Sequence, residues 1–430
     1  MYKTGLSQYF FNQFGSWRAL SLWGINTGVY LTISGLFASR FLIACGIIVM
    51  GCASLIFAFT LSKDDVKQRL LYTLPISIAV LLFFGSVATS FIGSSEWGFA
   101  IVRLRLYAAL LLLPLIIGFA PPLTHLHFKR YFLYALACAI ITGLSVLANY
   151  FLHQDEIIRN LSQGKPIPMP IPHIRYGMFV SFVFLGGLLA IIKNWYPKKW
   201  AIGVGLSTVF LGWFILFLAV RTAWLITLLG LIPISFYYLY QYKKLLWAIP
   251  LFLFLGVTIY VSYYLIPSIR IKSGYSLYDW KSLIRDQGED YSDSERIYSL
   301  QNGWMLWKSN KWLGVGSGDL HKEIEKNGEK YQLPGNQIPH NQFLMTMVCG
   351  GLLSLFQFLA ALFIIWTPAM HRKKFLTNLL LFLYLVTFLF EPTFETSIGL
   401  ISFVFIFTMI LLFTYQGKRT SVEGETYISH

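Results

Sequence analysis

The chain has 430 residues, 56% of them hydrophobic and only 12% charged, with a mean hydropathy of +0.61. Soluble domains carry roughly twice that charge fraction, so the composition excludes an ordinary soluble fold and implies an all-α polytopic membrane protein. The net charge of +15 would point to nucleic acid in a soluble protein; in a membrane protein it is read first as topology, and no nucleic-acid partner is expected.

Met1 to Trp17 hold no basic segment followed by a short apolar core and a cleavage site, so the first membrane helix is expected to direct insertion. Runs near 20 apolar residues predict about twelve transmembrane helices. They fall near 19–38, 41–61, 70–92, 101–120, 131–152, 174–192, 200–219, 222–240, 245–266, 341–367, 376–391 and 398–415. This divides the chain into transmembrane residues 1–266, a large loop over 267–339 containing short helices, further spans within 340–415, and a tail over 416–430. Cys45, Cys52, Cys138 and Cys349 all lie in apolar spans. They form no disulfide framework or metal-ligand spacing, and no metal or cofactor is expected.

The connectors orient the spans. With the N-terminus in the cytoplasm, every cytoplasmic segment carries at least a pair of basic residues, among them Lys63, Lys67 and Arg69, Lys129 and Arg130, and Lys198 and Lys199. The short connectors opposite hold only Arg40 and Arg221 or nothing basic, so both termini are expected inside. The remaining basic residues gather on the outer side and include Arg103, Arg105, Arg175, Arg221, Arg270, Arg296, Lys308 and Lys311. Arginine there is not needed for topology and suggests a bound anion.

Arg221 sits in a very short connector between two spans, where it either snorkels at a helix end or serves a site. Before the sixth span, proline at every second position from Pro166 to Pro172 makes a stiff extended lead-in. It either holds His173 and Arg175 at the surface or is only a spacer. In the long loop, Ile297, Leu300, Trp304 and Trp307 recur at helical spacing, predicting an amphipathic helix on the membrane surface with its aromatic face down. Ser294 is its expected N-cap, with Glu295 and Arg296 in the first turn. The run Gly314-Val315-Gly316-Ser317-Gly318 lacks a preceding strand and a following Lys-Ser/Thr, so it reads as a tight turn rather than a nucleotide cradle. His340 and Asn341 open the next span after Pro339; a histidine in a helix's first turn feels the positive dipole end and is suited to accept a proton. Glu391 and Glu395 lie on the same outer side, to pair with arginine, to orient a sugar hydroxyl, or simply to be solvated.

Ser294-Glu295-Arg296, the Trp304–Trp307 helix, the run Trp312 to Gly318, and His340-Asn341 followed by Gly350-Gly351 resemble the O-antigen ligase / O-antigen polymerase superfamily. Arg221 with Leu225 is similar to the family's R-x-x-x-L element, and the resemblance is strong over residues 215–360. It implies a metal-independent, inverting glycosyltransferase of the GT-C class with a periplasmic site in the bacterial inner membrane. Such an enzyme moves a glycan from undecaprenyl diphosphate onto an acceptor such as lipid A-core. Carried across, His340 would be the base and Arg221 and Arg296 would hold the diphosphate. Arg175 and Arg40 are added as diphosphate ligands, and Asn341, Glu295, Glu391 and His173 as acceptor or orienting residues. The chemistry fits on its own terms: a diphosphate leaving group needs charge stabilisation, which arginine forks supply, and the acceptor needs a base. The alternatives are a polymerase, a protein O-oligosaccharyltransferase and, from another class, a polyprenyl-linked glycan transporter.

Overall fold

The computed structural model describes residues 17–108, 110–243, 248–285, 292–334, 337–367 and 374–410. Among these the chain is helical and contains no strand. The tail over 416–430 lies outside the described residues.

The helices are α1 (Trp17–Ala38), α2 (Arg40–Ala58), α3 (Lys63–Thr89), α4 (Trp97–Ala108), α5 (Leu113–Gly118), α6 (His125–Leu152), α7 (Gln154–Ser162), α8 (His173–Ile192), α9 (Lys198–Leu218), α10 (Arg221–Gln241) and α11 (Ala248–Leu265). Then follow α12 (Pro267–Ile284), α13 (Ser292–Ser309), α14 (Leu320–Tyr331), α15 (Gln342–Trp366), α16 (Lys374–Phe390) and α17 (Ser397–Ile410). Among the described residues, eight spans are long and apolar enough to cross a membrane: α2, α3, the broken Trp97–Gly118 pair, α6, α8, α9, α10 and α15. α16 and α17 are shorter apolar helices. The chain is a multi-pass membrane protein.

Small residues let these helices close up where lipid offers no hydrophobic drive between them. In α1 against α2, a Cβ on Gly28 would lie 2.7 Å from the Gly46 carbonyl oxygen, so the backbones touch. The C-terminal end of α5 exposes carbonyls that Arg69 satisfies: its Nη1 donates to Gly118 O at 2.8 Å and Ala120 O at 2.7 Å. Arg69, read from sequence as a cytoplasmic marker, is therefore also a buried helix-end cap.

The polar loop is not loose. α12, α13 and α14 fill most of it, and α13 docks on α15 rather than lying on lipid with its aromatic face down. Its buried positions are Ser294, Ser299, Asn302, Gly303 and Leu306, while Trp307 packs against the satellite cluster around Leu344 and Val348. Trp304 alone of that predicted stripe stays exposed as a large surface. Polar side chains claim the docking face because each finds a partner: Asn302 donates to Ile324 O at 2.9 Å and Ser299 receives the His340 N–H at 3.3 Å.

α15 is interrupted at Gly350-Gly351, where Gly351 adopts φ +65° and ψ −160°. The interruption frees two carbonyls and two N–H groups, and the segment from Lys311 to Gly316 takes them all. Val315 N and Gly316 N donate to Val348 O (2.8 Å) and Cys349 O (3.1 Å). In return Leu352 N donates to Lys311 O (2.9 Å) and Leu353 N to Trp312 O (3.4 Å). Buried backbone must be paired, and the two motifs complete each other. The predicted turn is there, and its amides are spent on helix carbonyls.

Candidate functional site

The site forms where α8, α10 and α15 begin, α16 ends, and α12 and α13 cross. Its anchor is the segment after α16. Phe394 is fully buried in a cluster of rings, with centroids 4.9 Å from Phe388, 5.2 Å from Phe83 and Phe403, and 5.6 Å from Phe358. That plug fixes the acids on either side of it. Glu395 makes a bidentate pair with Arg103, at 2.8 Å to Nε and 2.7 Å to Nη2. Glu391 faces the other way, into the site.

Two residues at the start of α15 lock that segment to His340. Asn341 is the N-cap: its Oδ1 accepts from Leu344 N at 2.9 Å and its Nδ2 donates to Leu389 O at 3.1 Å. Gln342 Oε1 accepts from Phe394 N at 2.7 Å. His340 therefore precedes the cap rather than sitting in the first helical turn, because the Asn341 carboxamide starts the helix one residue later. With a bond at each end of its amide, Asn341 acts as a clamp between α15 and the end of α16.

Glu391 is the hub. Arg296 Nη2 donates to its Oε1 at 2.6 Å, and His340 Nδ1 lies 3.7 Å from its Oε2. The second separation exceeds a hydrogen bond, so that contact is electrostatic, and His340 Nδ1 is buried without a hydrogen-bond partner. Burial pushes the Glu391 carboxyl up, but His340, Arg296 and Arg175 outweigh it and hold it below the ordinary glutamate range. Arg175 is not at the surface as its proline lead-in suggested. It is 4% exposed, donating through Nε to Thr396 Oγ1 at 3.3 Å and through Nη2 to Pro392 O at 3.5 Å. His173 is within electrostatic reach of Glu391, Lys272, Arg296 and Arg175.

Arg221 is the first residue of α10, placed there by an abrupt break in which Ala219 takes a left-handed φ of +51°. Its Nη1 donates to Ser276 Oγ at 2.8 Å and to the Asp293 carboxylate. Lys272 closes the ring. It is buried in α12, feels Arg221, Asp293 and Arg296, and its pKa is lowered to about 8, by burial first and by the two arginines next.

The residues named from sequence thus divide. His340, Arg296, Glu391, Arg175, Arg221 and His173 come together. Arg40 is exposed at the start of α2, and no hydrogen bond or ion pair among the described residues joins it to the cluster. Glu295 is half-buried beside Arg296 and likewise makes no such contact to the cluster. Ser294 does not cap α13. Its N–H (3.3 Å) and hydroxyl, with Asp293 N (2.6 Å), donate to Asp279 of α12, so the cap comes from another helix. Lys272, Ser276, Asp279, Asp293 and Gln342 were not singled out from sequence. Their signal was present in part: Ser268, Lys272, Ser276 and Asp279 recur at i, i+4, i+8 and i+11, one helical face.

Histidine, arginine and carboxylate thus converge at the ends of membrane helices. Residues 206–359 match the family model described as O-Antigen ligase. That match supports the O-antigen ligase/polymerase superfamily and a glycosyltransferase of that type. It spans Arg221, Lys272, Arg296 and His340, while His173, Arg175 and Glu391 lie outside it. No curated protein matches the chain.

Proposed function

We propose that the protein transfers a glycan from undecaprenyl diphosphate to an acceptor hydroxyl by direct, inverting displacement without a metal, and that the acceptor is lipid A-core. The site then faces the periplasm, with both termini in the cytoplasm of an inner-membrane protein. The observation that carries this is the meeting of His340 and Arg296 on Glu391, with Arg221 and Arg296 both within electrostatic reach of Lys272.

In this reading His340 takes the proton from the acceptor hydroxyl as its oxygen attacks the anomeric carbon. The bond from that carbon to the diphosphate breaks, and its electrons remain on the phosphate oxygen. Arg221 and Arg296 stabilise that growing charge. Arginine suits the task because its planar fork carries five N–H donors. For Arg296, pairing one nitrogen with Glu391 fixes its orientation and does not exhaust those donors. Glu391 stabilises the imidazolium formed on His340.

The test uses purified protein in detergent with a lipid-diphosphate glycan and three acceptors offered separately: lipid A-core, a second lipid-linked repeat, and a Ser/Thr peptide. Product on lipid A-core supports ligation; product only on the second or third makes it a polymerase or a protein transferase. Failure of the His340→Ala variant to lose activity would remove the base. Movement of intact donor across vesicles, without transfer, would make it a transporter.

A further inference from the structure

Lys272 is a cation held among cations. It lies on the face of α12 that also carries Ser276, the hydroxyl bonded to Arg221, and Asp279, the cap of α13. Its Nζ donates to the Gly164 carbonyl and stands 5.2 Å from the Tyr275 ring centroid. The charges that face it are Arg221 from α10, Asp293 and Arg296 from α13, and the His173 ring from α8. Asp293 is the one carboxylate of that set, and it is already bonded to Arg221. An ammonium so placed costs free energy in the resting protein. The cost is relieved when an anion bridges the three basic groups.

We propose that Lys272 is a third diphosphate ligand, which leaves the Gly164 carbonyl to bind the phosphate oxygen on which charge develops as the glycan departs. This rests on the diphosphate-donor reading above. The position has a chemical logic. The donor diphosphate is a diester, and the departing diphosphate carries one more negative oxygen. A third cation beside Arg221 and Arg296 matches that added charge. Burial and the flanking arginines bring the Lys272 ammonium to about 8, so in the free protein part of the population is neutral near that pH. Binding of the anion favours the charged form and takes up a proton.

The move has a second consequence. Gly164 closes the turn after α7 and begins the proline lead-in to His173 and Arg175. Release of its carbonyl removes one tie between that lead-in and α12 when donor arrives, while the packing of Gly164 on Tyr275 remains.

The experiment is transfer from a purified lipid-diphosphate glycan by wild-type, Lys272→Gln and Lys272→Arg proteins across pH 6 to 10. The expected result is a wild-type kcat/KM that falls on the alkaline side above about pH 8. Lys272→Gln should be about 10- to 100-fold lower, the loss of one charged contact to an anion, and should lack that alkaline fall. Lys272→Arg should recover most of the rate with the fall displaced to higher pH. A purely structural lysine would change protein yield and unfolding temperature but leave the shape of the pH profile alone. The proposal is overturned if Lys272→Gln keeps the wild-type rate and profile while wild-type protein transfers glycan. If wild-type itself transfers nothing from this donor, the donor reading has failed and Lys272 is not at fault.

Discussion

Replacing Glu391 with Gln removes one negative charge while keeping the side chain's shape, so it weakens the electrostatic link to His340 along with the Arg296 pair. Two unit charges about 4 Å apart interact by about 4 kcal/mol at the effective dielectric of a protein's outer region. The separation here is 3.7 Å, and the His340 side chain is 22% exposed, so solvent screens part of that. About half, or about 2 kcal/mol, is left for stabilising the imidazolium as His340 takes its proton, equivalent to about 30-fold in rate. The part of the loss that runs through the base should appear in kcat, and loosening of the Arg296 pair should add a rise in donor KM. Steady-state transfer assays on Glu391→Gln check this, with Glu391→Asp as a partial restoration. A Glu391→Gln enzyme with wild-type kcat, or with the whole defect in donor KM, would refute the link. The same substitution has a stability signature. The folded-state carboxyl lies below its ordinary range, so its contribution is present above that range and fades as pH falls through the lowered value. Wild-type unfolding temperature should therefore drop on acidification into that window, and the Gln variant should show less of the drop.

Arg296→Lys keeps charge but loses the fork, and should lower kcat/KM by about 10- to 100-fold, measured by donor titration. Gly351→Ala would set a Cβ 2.1 Å from Trp312 O at a positive φ. It should cost at least about 3 kcal/mol and appear as a large fall in unfolding temperature in detergent. Asp279→Ala leaves the Asp293 and Ser294 N–H groups without their cap and should destabilise by about 1–2 kcal/mol, with activity falling alongside because Arg296 sits in that turn; unfolding and rate measured together check it. Exhaustive chelation should leave the rate of transfer unchanged, since arginine carries the charge stabilisation.

The spans and His340, Arg221 and Arg296 were readable because each has a local signal: an apolar run of membrane length, or a charge where topology asks for none. What escaped depends on contacts distant in sequence. Asp279 caps a helix 14 residues on, and Gln342 holds Phe394 across 52 residues; neither leaves a mark at its own position. Arg40 is a different case. Its charge matched the argument for an anion site, yet its side chain is exposed and no hydrogen bond or ion pair among the described residues ties it to the cluster. Side of the membrane is one coordinate, and a site needs three. Asn341 shows what a sequence hides about a polar residue beside a candidate base: its amide ends also cap α15 at Leu344 and tie it to Leu389.

The aromatic plug at Phe394 explains why so charged a site can be held at the ends of apolar helices. Breaking a buried ion pair by removing one partner costs about 3–5 kcal/mol, whereas making it gives little net stability. The Arg103–Glu395 and Arg296–Glu391 pairs are therefore poor sources of folding energy. Stability near the site comes instead from Phe394 and the rings around it, and from the Gly350-Gly351 interruption sealed by the glycine run. With the backbone fixed by those apolar and main-chain contacts, the charges are free to be arranged for a substrate. Phe394→Leu tests this division: filling the plug with a smaller residue should lower unfolding temperature through a loss of about 1–3 kcal/mol. It should also lower kcat beyond what stability explains, because Glu391 and His340 lose their register. A variant that unfolds earlier but transfers glycan at the wild-type rate at low temperature would show that the register is held elsewhere.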